Sequence, residues 1–343
     1  MPTELSACQT EFVSVSKAFA TVSFLALVIS SMALVLADRA DSETFPGPNG
    51  KIAFSSDRDG NDEIYVMDAD GSNQIRLTTR AETDTKPSLN ASGTQIVFEG
   101  AVGGSRQIFK MNIDGSNLTQ LTVSSGQNMS PSWSPNGNKI VFSSGRDNDD
   151  EIYVMDADGS NQIRLTNSPG FDIEPSWSPN GTKIVFTCDP DNNSNLDICV
   201  MNADGSNIVR LTTRQGYDYA AAWSPDGTKI VYVQDLNSNY QIFSMNSDGS
   251  NTTQITNLNT RSAQPKFSPD GQLIVFASNA SGTYQITTMA TDGSNRTALT
   301  SSGRNMTPSW GPGPTPSPST TTTTPSTTTT TPSANPVPPA ITG

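Results

Sequence analysis

The tetrapeptide Asp-Gly-Ser-Asn occurs six times in this chain of 343 residues, and no other feature constrains the fold so tightly. Its aspartates lie 44, 44, 46, 44 and 44 residues apart and are Asp70, Asp114, Asp158, Asp204, Asp248 and Asp292. A fixed period of 20 to 50 residues is the signature of repeat architectures, in which each repeat is one supersecondary unit. The spacing therefore predicts six similar structural units.

Two further sequence markers recur at nearly the same spacing. The first is a large apolar residue that ends the phrase "PSW" or its equivalent, at Leu89, Trp133, Trp177, Trp223, Phe267 and Trp310. The second is the aromatic residue that ends "NGxKIVF", at Phe54, Phe98, Phe142, Phe186, Tyr232 and Phe276. Because the markers are independent of one another, their agreement shows that the whole period is repeated.

Each period contains four short β-strand patterns. Within residues 131–166, the strands A to D are "PSWS", "KIVFSS", "EIYVM" and "QIRLT", separated by the turns "PNGN" and "DADGSN" and one longer loop. Runs rich in Ile, Val, Phe, Tyr and Thr with glycine-containing turns between them are typical of antiparallel strands. A 44-residue unit of four strands predicts an all-β fold, a six-bladed β-propeller of four-stranded antiparallel blades.

The repeated phrase also resembles a known family. The pattern W-S-P-D/N-G-x-K-I-V-F followed by I-Y-V-M-x-x-D-G-S-x-x-x-x-L-T is similar to the WD-repeat-like blade of the TolB family. Propeller domains of prolyl oligopeptidase and dipeptidyl peptidase relatives share this blade pattern. The resemblance covers residues 45–313 and implies a propeller, but this fold hosts scaffolds, receptors and enzymes alike.

The last repeat stops after its first strand. Residues 306–310, "MTPSW", have no strand B after them, whereas the first repeat begins at strand B with no "PSW" before it. An open edge would leave unpaired backbone groups in the ring. We therefore predict that this C-terminal strand, with Pro308 and Trp310, completes the first blade and closes a propeller domain over residues 45–313.

Both ends of the chain differ from the repeats. No charge interrupts the 19 residues from Ala18 to Leu36, so residues 1–37 are interpreted as either a cleaved signal peptide or an uncleaved membrane anchor. Residues 38–44 are a short linker, and residues 314–343 are a Thr/Pro-rich stalk or tail without a core. Either interpretation predicts export to an extracellular, cell-surface or periplasmic location.

The composition argues against several classes of partner and active site. The net charge of −13 argues against nucleic acid or an anionic membrane surface as the partner, so membrane contact is expected only through the N-terminal segment. Histidine is absent, which excludes Ser-His and Cys-His nucleophiles and His-ligated metals. Cys188 and Cys199 flank one predicted hairpin and are interpreted as a disulfide of an exported protein, with two inert thiols as the alternative.

The sequence varies little at one end of each blade and widely at the other end. The A-to-B and C-to-D turns, which form what we name the turn face, repeat "SPNG" or "SPDG" and "DGSN" with little change. The B-to-C loops and D-to-A crossovers, which form the loop face, vary from "SDRDGND" to "CDPDNNSNLD". Variable loops on a rigid scaffold are typical of a binding surface, although unconstrained drift would give the same pattern.

Three loops of the loop face are acidic. Their candidate calcium ligands are Asp57, Asp59, Asp147, Asp149, Asp189 and Asp191. Alternating carboxylates can supply the oxygens that Ca²⁺ prefers, yet the bidentate glutamate of an EF-hand is lacking, and a solvated acidic rim explains the same residues. The six repeated Asp-Gly turns need no metal, because tight turns favour these residues. We therefore expect no cofactor, with calcium as an open alternative.

The absence of a recognisable catalytic motif favours a non-catalytic scaffold. The chain has no nucleophile elbow and no sialidase Asp-box, and it lacks the histidines on which propeller lyases rely. Arg76, Arg164 and Arg210 are expected on the outermost strands, away from any central cleft. We expect a monomer that binds a protein or glycan at the cell envelope through its loop face. The alternative is a carboxylate-based glycosidase or lyase.

Overall fold

The computed structural model describes residues 46–257 and 259–313, which form 24 β-strands. The predicted signal or anchor, the linker at 38–44 and the tail at 314–343 lie outside the described residues. In the part of the chain that is described, no helix has the length and apolar character needed to cross a membrane.

Every fourth strand has the same place in its blade. The innermost strands are β4 (Asp84–Leu89), β8 (Asn128–Trp133), β12 (Asp172–Trp177), β16 (Asp218–Trp223), β20 (Ser262–Phe267) and β24 (Asn305–Pro312). The second strands are β1 (Asn49–Ser56), β5 (Gln95–Val102), β9 (Lys139–Asp147), β13 (Lys183–Cys188), β17 (Lys229–Asp235) and β21 (Leu273–Ser278).

The third strands are β2 (Glu63–Met67), β6 (Ser105–Asn112), β10 (Asp149–Asp156), β14 (Asp197–Asn202), β18 (Tyr240–Asn246) and β22 (Gln285–Ala290). The outermost strands are β3 (Ile75–Arg76), β7 (Thr119–Gln120), β11 (Ile163–Arg164), β15 (Val209–Arg210), β19 (Thr253–Gln254) and β23 (Thr297–Ala298). Six four-stranded antiparallel sheets result, which confirms the six-bladed propeller.

The first blade is closed as predicted. Strand β24 pairs antiparallel with β1, with Trp310 opposite Ile52, so the sheet order is β24-β1-β2-β3. Trp310 is 2% exposed and packs with Phe54 of blade 1 and Ile286 of blade 6. Its indole Nε1 donates a hydrogen bond to the Gly50 carbonyl oxygen at 3.3 Å. The C-terminal strand therefore joins the first and last blades in one core.

The hydrophobic core is divided among the blade interfaces. One cluster combines Val141 and Ile152 of blade 3 with Trp177, Ile184 and Phe186 of blade 4. The other five clusters repeat this arrangement around the ring. Each blade is thus held by its neighbours, because a single sheet cannot bury both of its own faces.

The strand lengths differ from the sequence prediction. Innermost strands begin three residues before the "PSW" phrase, as in Asn128–Trp133, and outermost strands contain two residues where five were predicted. Beyond Arg164 the Leu165 N–H still donates to the Ile152 carbonyl oxygen at 2.7 Å, and the next bond is made by a side chain, in which Thr166 Oγ1 accepts a hydrogen bond from the Ile152 N–H at 2.9 Å. A pattern of hydrophobic residues does not reveal side-chain to backbone hydrogen bonds of this kind.

The two cysteines of the fourth blade are bonded to each other. Cys188 ends β13 and Cys199 lies in β14, and their sulfur atoms are 1.99 Å apart. The bridge encloses the B-to-C loop that contains Asp189 and Asp191. It therefore ties one of the longer loops of the loop face to the rigid sheet.

Candidate functional site

The centre of the ring contains a channel lined by all six innermost strands. Its cavity has a volume of about 80 Å³, enough for several water molecules. One residue from each strand has a left-handed backbone with φ between 50° and 55°. These residues are Lys86, Ser130, Glu174, Ala220, Gln264 and Thr307. Non-glycine residues seldom adopt this conformation. Because it occurs once in each of the six innermost strands, it is a regular structural feature of the channel wall.

A β-bulge accompanies the left-handed residue in each strand. The register of β12 against β13 shifts between Ile173 and Ser176, and the other five innermost strands shift at the same point. A bulge bends its strand and changes the direction in which a side chain points. The residue at this position therefore lines the channel while its neighbours pack between blades.

An ion pair crosses the channel between the second and fourth blades. Lys86 Nζ lies 3.0 Å from Glu174 Oε1 and donates a hydrogen bond to Ser130 Oγ at 2.8 Å. The other carboxylate oxygen, Glu174 Oε2, accepts a hydrogen bond from the Ala220 N–H at 3.1 Å. Burial lowers the pKa of Lys86, but the Glu174 and Glu99 carboxylates outweigh this and hold it above its ordinary value. Lys86 is therefore charged at neutral pH.

The channel side chains also join neighbouring blades. The Thr307 N–H donates to Gln264 Oε1 at 3.0 Å, and the Lys86 N–H donates to Thr307 Oγ1 at 3.3 Å. The Ser130 N–H donates to Glu99 Oε2 at 3.0 Å. Backbone donors left free by the bulges are thus satisfied across blade boundaries, as buried donors require.

A second polar layer lies inside the blades near the loop face. In blades 1, 3 and 4 a buried acidic residue near the start of the third strand lies close to the acidic first residue of the next innermost strand. The pairs are Glu63 with Asp84, Glu151 with Asp172, and Asp197 with Asp218, and all six side chains are buried. Burial raises the pKa of Asp84 and of Asp218 to about 6.

The third-blade pair shows the strongest effect. Burial, followed by the charge of Glu151, raises the pKa of Asp172 to about 7. Glu151 itself accepts hydrogen bonds from Thr166 Oγ1 at 2.5 Å and Arg164 Nη2 at 2.6 Å. Asp172 is therefore the carboxyl group of this pair whose pKa is raised, because it is buried beside a second carboxyl group.

The loop face presents exposed apolar side chains on three consecutive crossovers. Val123 is 89% exposed, Phe171 is 45% exposed and Tyr217 is 42% exposed. Val102, at the end of β5 on the same face, is 38% exposed. Exposed apolar side chains on neighbouring loops of one face are a feature of many interaction sites. The variable loop sequences pointed to this face but not to these residues, and binding there stays a prediction.

Four of the candidate calcium ligands make other bonds. Asp59 and Asp147 bind the hydroxyls of Tyr65 and Tyr153, and Asp191 Oδ2 lies 2.7 Å from Arg210 Nη1. Asp57 Oδ1 accepts a hydrogen bond from the Arg304 N–H at 2.6 Å.

The remaining two candidates differ from each other. Asp189 accepts hydrogen bonds from the Asn193 and Ser194 N–H groups at 3.1 and 3.0 Å, whereas Asp149 is exposed. Over residues 46–257 and 259–313, no group of three or more His, Cys, Asp or Glu side chains is placed to hold a metal ion. Calcium binding stays a prediction, without a ligand cluster to support it.

The six Asp-Gly turns have one geometry. In each, the aspartate Oδ1 accepts hydrogen bonds from the serine N–H at 2.9 Å and the serine Oγ at 2.6 Å. Hydrogen bonds from this serine lower the pKa of all six aspartates. These carboxylates therefore stabilise the turns of the turn face.

Sequence reasoning missed the channel residues. Lys266 lies inside the repeated phrase, and Lys86 and Glu174 directly precede it, at positions where other blades carry Ser, Ala, Gln or Thr. A charged residue at a repeat position that is uncharged in other blades is the signal that would have found them. Arg76, Arg164 and Arg210 were placed correctly, since all three lie on outermost strands.

A closed ring of six four-stranded blades around a central channel defines this protein as a six-bladed β-propeller. The chain belongs to the TolB β-propeller domain family, whose profile matches residues 40–131 and 122–312. A relative, the Tol-Pal system protein TolB of Geobacter sulfurreducens, is 45% identical over 51 residues. That match covers 15% of this chain and only 12% of the relative's length.

Solved structures share the fold. The crystal structure of TolB from Acinetobacter baumannii has a TM-score of 0.68 and 24% identity, over 77% of this chain and 67% of that one. An oligogalacturonate lyase in complex with manganese has a TM-score of 0.54 and 14% identity, over 75% of this chain and 76% of its own. Likeness at these identities shows the fold alone.

Proposed function

We propose that this chain is a non-catalytic propeller of the cell envelope that binds a protein partner through its loop face. The observation that carries the proposal is the set of exposed apolar side chains on three consecutive crossovers, Val123, Phe171 and Tyr217. Interfaces place aromatic and aliphatic anchors at their centre within a polar rim. The relative's name, a Tol-Pal system protein, supports a protein partner, and the apolar segment from Ala18 to Leu36 supports export.

The charge of the chain indicates the partner's chemistry. At a net charge of −13, electrostatic steering favours a partner whose docking surface is basic around an apolar centre. Two of the exposed residues are valines, which offer sugars neither hydrogen bonds nor an aromatic face. A protein surface fits this mixture better than a glycan does.

The buried carboxylate pairs do not favour the glycosidase alternative. A glycosidase needs one protonated and one ionised carboxyl group on either side of its substrate. Asp172 and Glu151 lie close together, but they are only 2% and 0% exposed. No sugar reaches them in the folded protein, so the raised pKa of Asp172 reflects its burial and not catalysis.

The test compares two double variants of the full chain as baits in envelope fractions. Val123→Ser with Phe171→Ser removes apolar area from the loop face. The matched control, Ile75→Ser with Ile163→Ser, removes similarly exposed residues from the outermost strands, where these isoleucines are 54% and 56% exposed. After the partner is identified, its affinity should fall roughly 10- to 100-fold for the first variant and remain unchanged for the control.

Three results would contradict the proposal. Equal binding by both variants would show that the loop face is not the docking surface. Binding that survives protease treatment of the envelope fraction but is lost after polysaccharide digestion would identify a glycan as the partner. Turnover of a polysaccharide by the purified chain would restore the enzymatic alternative.

A further inference from the structure

A polar pocket opens on the loop face between the fifth and sixth blades. Its volume is about 370 Å³, near the lower end of the range for small-molecule sites, which is roughly 300 to 1,000 Å³. The lining residues come from the B-to-C loops of both blades and the crossover between them, and they are Ser238, Asn239, Asn259, Thr260, Arg261 and Asn279. Arg261 is the charged member of this set, so the lining is positively charged.

The guanidinium group of Arg261 is held in place at the pocket. Its Nε donates a hydrogen bond to the Ser238 carbonyl oxygen at 3.2 Å, and its Cζ lies 5.2 Å from the centre of the Tyr240 ring. The main-chain N–H of the same residue donates to Asn279 Oδ1 at 2.6 Å. Arg261 is exposed, and these contacts leave its two Nη groups for a ligand. An arginine that is already ordered loses less conformational entropy when it binds.

Arg304 is the counterpart of Arg261 in the next crossover, and its partners show what the pocket lacks. Each of these arginines directly precedes an innermost strand. The N–H of each donates at 2.6 Å to the residue that follows the second strand of the same blade, which is Asp57 in blade 1 and Asn279 in blade 6. The side chain of Arg304 also forms ion pairs with Asp57 at 3.5 Å and with Asp62 at 2.5 Å.

Neutral residues replace both of these carboxylates in blade 6. Asn279 takes the place of Asp57, directly after the second strand. Tyr284 takes the place of Asp62, directly before the third strand. The sixth blade therefore keeps the arginine without the acidic partners that it has in the first blade.

The other charged residues near the pocket do not replace those partners. Asp235 ends the second strand of blade 5, and its Oδ1 accepts a hydrogen bond from the Ser238 N–H at 2.5 Å. Arg214 of the preceding crossover donates to the Asp235 carbonyl oxygen at 3.4 Å and adds a second positive charge. Among the residues that the structure describes, Arg261 forms no ion pair with a carboxylate. A carboxylate from outside the chain can therefore take that place.

We propose that this pocket binds a hexuronate, a sugar whose carboxylate pairs with the guanidinium group of Arg261. A planar carboxylate matches the fork formed by the two Nη groups. The amide side chains of Asn239, Asn259 and Asn279 and the hydroxyl of Ser238 line the rest of the pocket, and amides and hydroxyls both donate and accept hydrogen bonds, as the hydroxyl groups of a sugar require. The volume accommodates a sugar ring in addition to the carboxylate.

Sodium glucuronate is the probe for this site. Calorimetric titration of the full chain with glucuronate, glucose and acetate at equal ionic strength separates the contribution of the carboxylate from that of the hydroxyl groups. We expect saturable binding of glucuronate and roughly tenfold or weaker binding of each of the other two compounds. Arg261→Gln should weaken glucuronate roughly tenfold or more. The matched control Arg214→Gln removes an exposed arginine of the preceding crossover and should leave the affinity unchanged.

A second variant tests the comparison with the first blade. Asn279→Asp places a carboxylate beside Arg261, as Asp57 lies beside Arg304. The fold already contains aspartate at this position of blade 1, so we expect the variant to keep the melting temperature of the unmodified chain. Its own carboxylate competes with the ligand, so glucuronate should bind roughly tenfold or more weakly.

Three outcomes would overturn the proposal. The first is the absence of saturable glucuronate binding to the unmodified chain. The second is equal glucuronate affinity in Arg261→Gln and Arg214→Gln. The third is acetate or glucose binding as tight as that of glucuronate, which would show that the pocket does not recognise a hexuronate. Partner capture through Val123 and Phe171 does not depend on these results, because the pocket includes neither residue.

Discussion

Replacing Trp310 with alanine should lower the free energy of unfolding by about 3 to 5 kcal/mol, the usual range for a buried tryptophan. Trp310 is 2% exposed and packs against residues of both the first and the last blade. Its loss leaves a cavity at the one interface that joins the two ends of the ring. A decrease in melting temperature of roughly 10 °C, measured by circular dichroism, is the expected readout.

Two controls make this result specific to ring closure. Val123→Ala shortens an apolar side chain that is 89% exposed and should leave the melting temperature unchanged. A chain ending at Arg304 lacks all of β24, whereas a chain ending at Gly313 keeps it. The shorter chain should melt far below the longer one, and equal melting curves would contradict the closure mechanism.

Stability should decrease as the pH rises from about 4 to 7, and Asp172 should be the main cause. Its pKa is raised to about 7 in the folded protein, whereas an aspartate of the unfolded chain titrates near 4. Between these values the folded state binds more protons than the unfolded state, so the free energy of unfolding falls with pH. Asp84 and Asp218, with pKa values of about 6, also lower the free energy of unfolding as the pH rises.

Asp172→Asn should remove most of this dependence. The innermost strands of blades 3 and 1 carry Asn128 and Asn305 at the same position, where each amide donates to a glutamine side chain at 2.9 Å. An asparagine at position 172 has the same opportunity to donate to Glu151. At pH 8 we expect the variant to be about 2 to 4 kcal/mol more stable than the unmodified chain, with little difference at pH 4.

Chemical denaturation at a series of pH values measures this effect. Asp149→Asn serves as the control, because Asp149 is an exposed carboxylate of the same loop region and should leave the pH profile unchanged. An Asp172→Asn profile parallel to that of the unmodified chain would show that Asp172 is not protonated in the folded state.

Much of the architecture followed from the sequence because it depends on local and repeated signals. The six Asp-Gly turns and the apolar strands predicted the blades, and the unpaired half repeat that ends in Trp310 predicted how the ring closes. These features need only turn chemistry, alternation of side chains and the rule that sheet edges are covered. The loop face was also predicted from the contrast between constant turns and variable loops.

Which charged side chains meet in the interior depends on the tertiary structure alone. Lys86 and Glu174 are 88 residues apart in sequence and meet only because six bulged strands converge on one axis. Asp59 and Asp147 resembled calcium ligands in sequence, yet the fold places a tyrosine and an arginine beside each.

Periodicity therefore determined where each strand lies, because hydrophobic burial acts on every repeat in the same way. The partner of each charged group depends on distances between blades, which no local pattern encodes. Only the closed ring brings Lys86 to Glu174, since that contact joins strands of two blades that are not neighbours in sequence.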